Sequence, residues 1–398
     1  MRSDDDKRSY YRLFYGYILA TIATGVAVVA LSLLAFDLAG DNAGAVIGTA
    51  LSIKMIAYVV GAPLAAAFLS GLPRRELLVG LDLIRAAAIL LLTVVSDVWQ
   101  LFALVFGFTL ASAAFTPAYQ ASVPLLLPDR RDYATSLARS RIVGELEGAI
   151  SPLLAAALLL VLSLRGVFIV SMAAFLVSAM LIAVARLPDP VDHEDGPFTR
   201  LRDGVRHLLQ DRQLRGLLPL NVVGAAIGGM VMVNTVVFVR GRFALDAEAT
   251  ALALGVFGLG AVAGALWVAQ ALPRLDPRRI MLTGALMVTA VLACGTLATF
   301  YPTLLLLWAI GGFGAALTQM PAVALIHDAV PDEAHHTTYA AHLSAVSLFA
   351  AIGYSAAGWL GATLSLNLAF AVLAAAAAVG SSLAWIAWRP GHKSAAMN

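Results

Sequence analysis

Six ionisable side chains stand where such groups are expensive. Lys54, Asp82, Arg85, Arg141, Glu145 and Glu147 all fall inside long apolar runs. A charge in hydrocarbon is costly unless it faces protein or water, so these groups mark a substrate path, a proton relay or an ion pair that locks helices together. Asp82 and Arg85 are three apart, and Arg141 and Glu145 four apart, the two spacings that put side chains on one helix face. Glu147 lies roughly 200° around the helix from Glu145, so one carboxylate faces a cavity and the other a neighbouring helix. Glu145 follows Asp132 by roughly 20 Å of helix rise, which puts it near mid-membrane. Asp82 and Arg85, near the cytoplasmic end of their span, read as a structural pair. Arg141 and Glu145 read as the functional one, because carboxylates with shifted pKa are how a membrane protein exchanges protons. Lys54 suits either role, since lysine can snorkel from a span end.

Uncharged polar groups add cavity candidates: Asn234 and Thr235 in one span, Gln319 in another. Each is also an ordinary helix–helix contact. His327, His335, His336 and His342 gather near Asp328, Asp332 and Glu333. Imidazole with carboxylate can hold a divalent metal, although the spacing matches no metal signature and a solvated loop explains it as well. Cys294 is the single cysteine, so disulfides are excluded. Neither a phosphate-binding Walker loop nor a nucleophile elbow occurs, which argues against an ATP-driven pump or a hydrolase. No cofactor and no nucleic-acid partner is expected.

The elements that must position these groups are membrane helices. Hydrophobic residues make up 61% of the 398 and charged residues only 13%, against about 25% charged in a soluble domain. Apolar runs long enough to span a bilayer fall near 13–37, 44–70, 77–95, 98–124, 134–163, 166–186, 216–239, 250–272, 280–299, 302–326, 336–363 and 366–388. They are continuous and do not alternate, which favours helices over a barrel. With the N-terminus inside, 19 of the 26 Lys and Arg fall in cytoplasmic segments, 3 outside and 4 within spans. That asymmetry supports twelve spans with both termini cytoplasmic. Residues 1–187 and 216–398 then form two six-helix bundles. The charged, Pro-rich stretch 188–215 joins them, either as a solvated linker or as an amphipathic helix on the anionic leaflet. The stretch Pro73-Arg74-Arg75-Glu76-Leu77-Leu78-Val79-Gly80 recurs 204 residues on as Pro277-Arg278-Arg279-Ile280-Met281-Leu282-Thr283-Gly284. Each copy joins the second span of its half to the third, as a duplicated bundle requires.

Several segments together resemble the major facilitator superfamily, in the branch of proton-linked exporters that includes macrolide-efflux and nickel-resistance-type proteins. They are Gly48-Thr49-Ala50-Leu51-Ser52-Ile53-Lys54-Met55, Leu81-Asp82-Leu83-Ile84-Arg85, Ala114-Phe115-Thr116-Pro117-Ala118-Tyr119-Gln120, Ser140-Arg141 with Glu145-Leu146-Glu147 and Ser151-Pro152, Asn234 to Arg240, and Ala357-Gly358-Trp359-Leu360-Gly361. The resemblance implies an all-α membrane protein of the major facilitator fold. It further implies a monomer in the bacterial inner membrane that expels a small molecule, a drug or metabolite, in exchange for protons. Thr116 and Gln120 join the cavity candidates on its account. A nickel- or cobalt-type cation exporter and a non-transporting membrane sensor of the same fold are the alternatives. The superfamily's loop motif is incomplete: its aspartate position is Ser70 and its first arginine Gly71, so the charge lock of that motif is not implied.

Overall fold

The computed structural model of the chain describes residues 2–68, 72–127, 129–187, 205–211, 213–331 and 334–389. The long elements are all helices: α1 (Arg2–Ala39), α2 (Ala43–Phe68), α3 (Arg74–Leu92), α4 (Val98–Leu126), α5 (Arg130–Leu159), α6 (Leu164–Ala183), α7 (Leu217–Val236), α8 (Ala247–Ala271), α9 (Pro277–Cys294), α10 (Tyr301–Gln319, resumed after a break as Ala322–Ala329), α11 (His335–Thr363) and α12 (Leu366–Trp388). Among the described residues, ten helices are long and apolar enough to cross a membrane. The most charged of the long helices for their length are α3, with Arg74, Arg75, Glu76, Asp82 and Arg85, and α5, which carries Arg141, Glu145 and Glu147.

Helix ends follow local chemistry. Gly40 closes α1 with φ of 53°, a conformation glycine adopts without a Cβ clash. Ser163, Asp276 and Ser365 cap α6, α9 and α12 by accepting from the backbone N–H groups of Gly166, Arg278 and Leu368. The polar residues 2–12 are helical as well and open α1. Arg12 donates to the Val184 carbonyl at 2.8 Å, the Arg186 N–H to Ser9 Oγ at 3.1 Å, and Arg186 pairs with Asp5 at 3.3 Å. These contacts hold the start of α1 against the end of α6. Of the proposed amphipathic stretch, 188–204 lies outside the described residues; 205–210 is helical, with Leu208 buried and Val205 and Leu209 exposed.

The two halves repeat one packing plan. In the first, α1 packs on α5 and α6, α3 on α4 and α6, and α2 on α4. In the second, α7 packs on α11 and α12, α9 on α10 and α12, and α8 on α10. The large contacts between halves obey the same exchange: α2 meets α11, and α8 meets α5. The Pro-Arg-Arg turns therefore mark a true structural duplication.

The turns 40–42, 160–163, 243–246 and 364–365 lie at one end of the bundle, here called distal; the start of α1, the end of α6, the start of α7 and the end of α12 lie at the proximal end. Among the described residues, the halves touch on the distal side. A Cβ at Gly48 of α2 would come within 2.5 Å of the Tyr354 carbonyl oxygen on α11, and one on Gly358 would strike the Gly44 carbonyl. Ser52 donates to the Ala351 carbonyl at 2.7 Å and shares a hydrogen bond with Ser355 at 2.7 Å. Leu153 of α5 fills the space beside Gly255 of α8. Small residues let backbones approach this closely.

Gly358→Ala should therefore wedge the halves apart, since overpacking a tight contact costs about 1–3 kcal/mol. The expected result is roughly tenfold faster labelling of a buried Ala351→Cys reporter by a membrane-impermeant maleimide added to the distal face. The exposed Cys294 must first be replaced by serine. Unchanged labelling would mean that this glycine contact does not hold the distal side shut.

Candidate functional site

Of the first-half helices, α2 and α5 make the main contacts to the second half, and each carries a charge just proximal to the closed layer. On α2, Lys54 follows Ser52 by two residues. It sits mid-helix within Ala43–Phe68, too deep to snorkel from a span end. On α5, Glu147 precedes Leu153 by about 9 Å of helix rise. Between them Ser151 donates to the Ile22 carbonyl of α1 at 3.3 Å. Gly25 of α1 permits this fit, because a Cβ there would collide with Ser151 and stand 3.1 Å from Glu147 Cγ.

Lys54 and Glu147 lie within each other's field, with neither a hydrogen bond nor a direct ion pair between them among the described residues. Tyr17 and Tyr58 lie within the field of Glu147. Tyr17 stacks on Tyr119 with ring centroids 4.1 Å apart, and the Tyr119 hydroxyl shares a 2.8 Å hydrogen bond with Ser140. The outcome is one cation and one carboxylate bordered by phenol rings, where contact between the halves ends. A carboxylate so placed can hold a proton or a cationic group, and the tethered ammonium of Lys54 competes for it. Tyrosine faces meanwhile offer apolar area with a polar tip.

Asp82 and Arg85 form a different kind of site. Both are buried, at 0% and 2% exposure, and Arg85 Nη2 donates to Asp82 Oδ1. Ser178 of α6 donates to Asp82 Oδ2 at 2.7 Å. The guanidinium lies 4.0 Å from the Phe115 ring centre and 4.8 Å from that of Phe175. The pair thus ties α3, α4 and α6 together. It also lies deeper than expected, since Arg85 is past the midpoint of Arg74–Leu92. The corresponding place in the second half holds a neutral contact, Thr289 with Ser381 at 3.4 Å.

The remaining candidates separate. Arg141 and Glu145 belong to α5, but their side chains lie outside the described residues. Asn234 donates to the Ala357 carbonyl at 3.0 Å, and Thr235 accepts from the Trp308 indole at 2.8 Å; both bind α7 to its neighbours. Thr116 is half-exposed and Gln120 exposed on α4. Gln319, exposed at the break in α10, lays its amide against Gly224 of α7. His335 opens α11, bonds the Val330 carbonyl through Nε2 at 2.8 Å and stacks on His327 at 4.6 Å. His342 is buried two turns farther along α11, the side chain of His336 lies outside the described residues, and no group of three metal-ligating residues occurs among those described. Tyr17, Tyr58 and Gly25 were invisible in the sequence, because an aromatic or a glycine in an apolar run carries no spacing signal.

Comparison with known proteins agrees with this architecture. The family model of the Major Facilitator Superfamily matches residues 13–274 and, overlapping, 217–396. Macrolide efflux protein A of Streptococcus pyogenes is 26% identical over 227 residues, 55% of this chain and 55% of that protein. The Enterococcus faecalis protein of the same name is 28% identical over 191 residues, 44% of this chain and 58% of that one. These alignments span little more than half the length of the curated relatives. The crystal structure of the nucleoside transporter NupG superposes with a TM-score of 0.78 at 15% identity, covering 96% of this chain and 100% of that one. A bacterial homolog of the lysosomal transporter Spinster, inward-facing and occupied, gives 0.76 at 13% identity, covering 96% of each chain. At such identities the structures speak for the fold alone.

Proposed function

This chain belongs to the major facilitator superfamily, and we propose that it is a proton-coupled exporter of a lipophilic small molecule of the macrolide kind. It is a multi-pass membrane transporter whose sequence relatives are macrolide-efflux proteins. The observation that carries the finer reading is the Lys54–Glu147 pair at the inner edge of the layer where the halves meet. Rocking the halves about that layer would expose the pair to each side in turn. Glu147 takes a proton from outside and gives it up inside; Lys54 neutralises the bare carboxylate between loads. The tyrosine border suits an apolar cargo better than a hydrated ion, which places the divalent-cation alternative second. In this reading the proximal end, with both termini, faces the cytoplasm of the inner membrane, and the distal end faces outward.

The test is flux in inside-out vesicles that hold the purified chain. An acidic lumen should drive accumulation of a labelled macrolide at least about tenfold above vesicles without protein, and an uncoupler should abolish it. Accumulation that ignores the pH gradient would sink proton coupling; accumulation of nickel but not macrolide would reverse the order of the two cargo readings.

A further inference from the structure

Besides glycines, the distal contact holds an ion pair. Arg240 lies in the π-helical turn Val237–Arg242 that extends α7, and its Nη1 donates to Asp37 Oδ1 at 2.6 Å. The same guanidinium lies 4.7 Å from the Phe36 ring centre, so two neighbouring side chains in the last turn of α1 grip it. Asp37 and Arg240 are 203 residues apart, one short of the 204 that separates the two Pro-Arg-Arg turns. They therefore occupy matching places in the two repeats, one acidic and one basic, and meet where the repeats face each other. Each is anchored to its own half. A rocking motion that opens the distal layer must pull them apart. Arg242, two residues on, stays within the second half, bonding Asn367 at 3.4 Å and lying over Phe238. Among the described residues, Asp37–Arg240 is the one ion pair that joins the halves.

We propose that Asp37 and Arg240 form a distal latch that sets the resting balance between the distal-closed and distal-open states. The latch requires alternating access but neither the macrolide cargo nor proton coupling, so its test reads conformation and not transport. The full chain in proteoliposomes, with Cys294→Ser, would carry spin labels at Leu160→Cys and Leu297→Cys, exposed distal positions on opposite halves. Distances between the labels report the open and closed populations. Arg240→Ala and Asp37→Asn should each raise the open-to-closed ratio about fivefold, the effect expected of a half-exposed ion pair with an added cation–π contact. Arg240→Lys should fall between, because it keeps charge but loses the planar stack. The double exchange Asp37→Arg with Arg240→Asp should restore much of the wild-type ratio. Raising salt on the distal side of the unmodified latch should shift the ratio in the same direction as the single variants, which keeps the test open even if one variant fails to insert. Single variants with an unchanged ratio, or an exchange that restores nothing, would overturn the latch.

Discussion

Glu147→Gln will abolish export driven by a proton gradient while leaving exchange of cargo across the membrane intact. Glutamine keeps the length and shape of the side chain beside Gly25 but cannot gain and lose a proton. Removing a proton-transfer group costs on the order of a hundredfold or more in rate. The two readouts divide the roles: gradient-driven accumulation should fall to the level of empty vesicles, and cargo-for-cargo counterflow should persist. The pH dependence has a definite sign. Export by the native chain should rise as the outer face is acidified at fixed inner pH, because loading Glu147 needs a proton, and should fall as the inner face is acidified, because unloading must release one. The variant should be flat in both directions. Retained pH dependence in Glu147→Gln would pass the coupling role to Glu145 on the same helix, and loss of counterflow as well would make Glu147 a cargo-binding group instead.

Asp82→Ala will have the largest effect on stability. It leaves the Arg85 guanidinium buried between Phe115 and Phe175 with no carboxylate, and breaking a buried pair from one side costs about 3–5 kcal/mol. The expected outcome is a sharp fall in monodisperse protein and in unfolding temperature after detergent extraction. Asp82→Ala with Arg85→Leu should recover much of the loss, because an apolar replacement of a whole buried pair is often neutral or better. Normal stability of the single variant would show that Arg85 finds another partner. Stable protein without transport would move the pair from the scaffold to the mechanism.

The sequence carried the fold through quantities that do not depend on side-chain detail. Apolar run length, the placement of arginines and the repeated Pro-Arg-Arg turn all report where the chain crosses lipid, and lipid imposes that pattern strongly. The site was harder to read. Spacing put Asp82 with Arg85 correctly, because i,i+3 geometry is local. It could not place Lys54 within the field of Glu147, since the two lie on different helices and are brought near each other only by the packing of α1, α2 and α5. Spacing also favoured Glu145, paired with Arg141, over Glu147, whose surroundings depend on the fit of Ser151 against Gly25, on a different helix. Asn234 and Thr235 read as cavity groups because polarity in a span has two explanations, and their partners Ala357 and Trp308 are far away in sequence.

The charge of α3 also bears on how the chain enters the bilayer. Each charged residue at the centre of a helix opposes insertion by about 2.5–3.5 kcal/mol, and α3 carries Arg74, Arg75, Glu76, Asp82 and Arg85 within its 19 residues. It therefore partitions poorly into lipid as a solitary segment from the insertion machinery. Asp82 and Arg85 are best accommodated together with Ser178, or at least as a neutralised pair. The first half thus holds one helix, α3, that needs protein surroundings before release, whereas every helix of the second half is apolar enough to leave one at a time. The order of synthesis suits this: the half that needs company is made first, while the rest of the chain is still tethered to the ribosome.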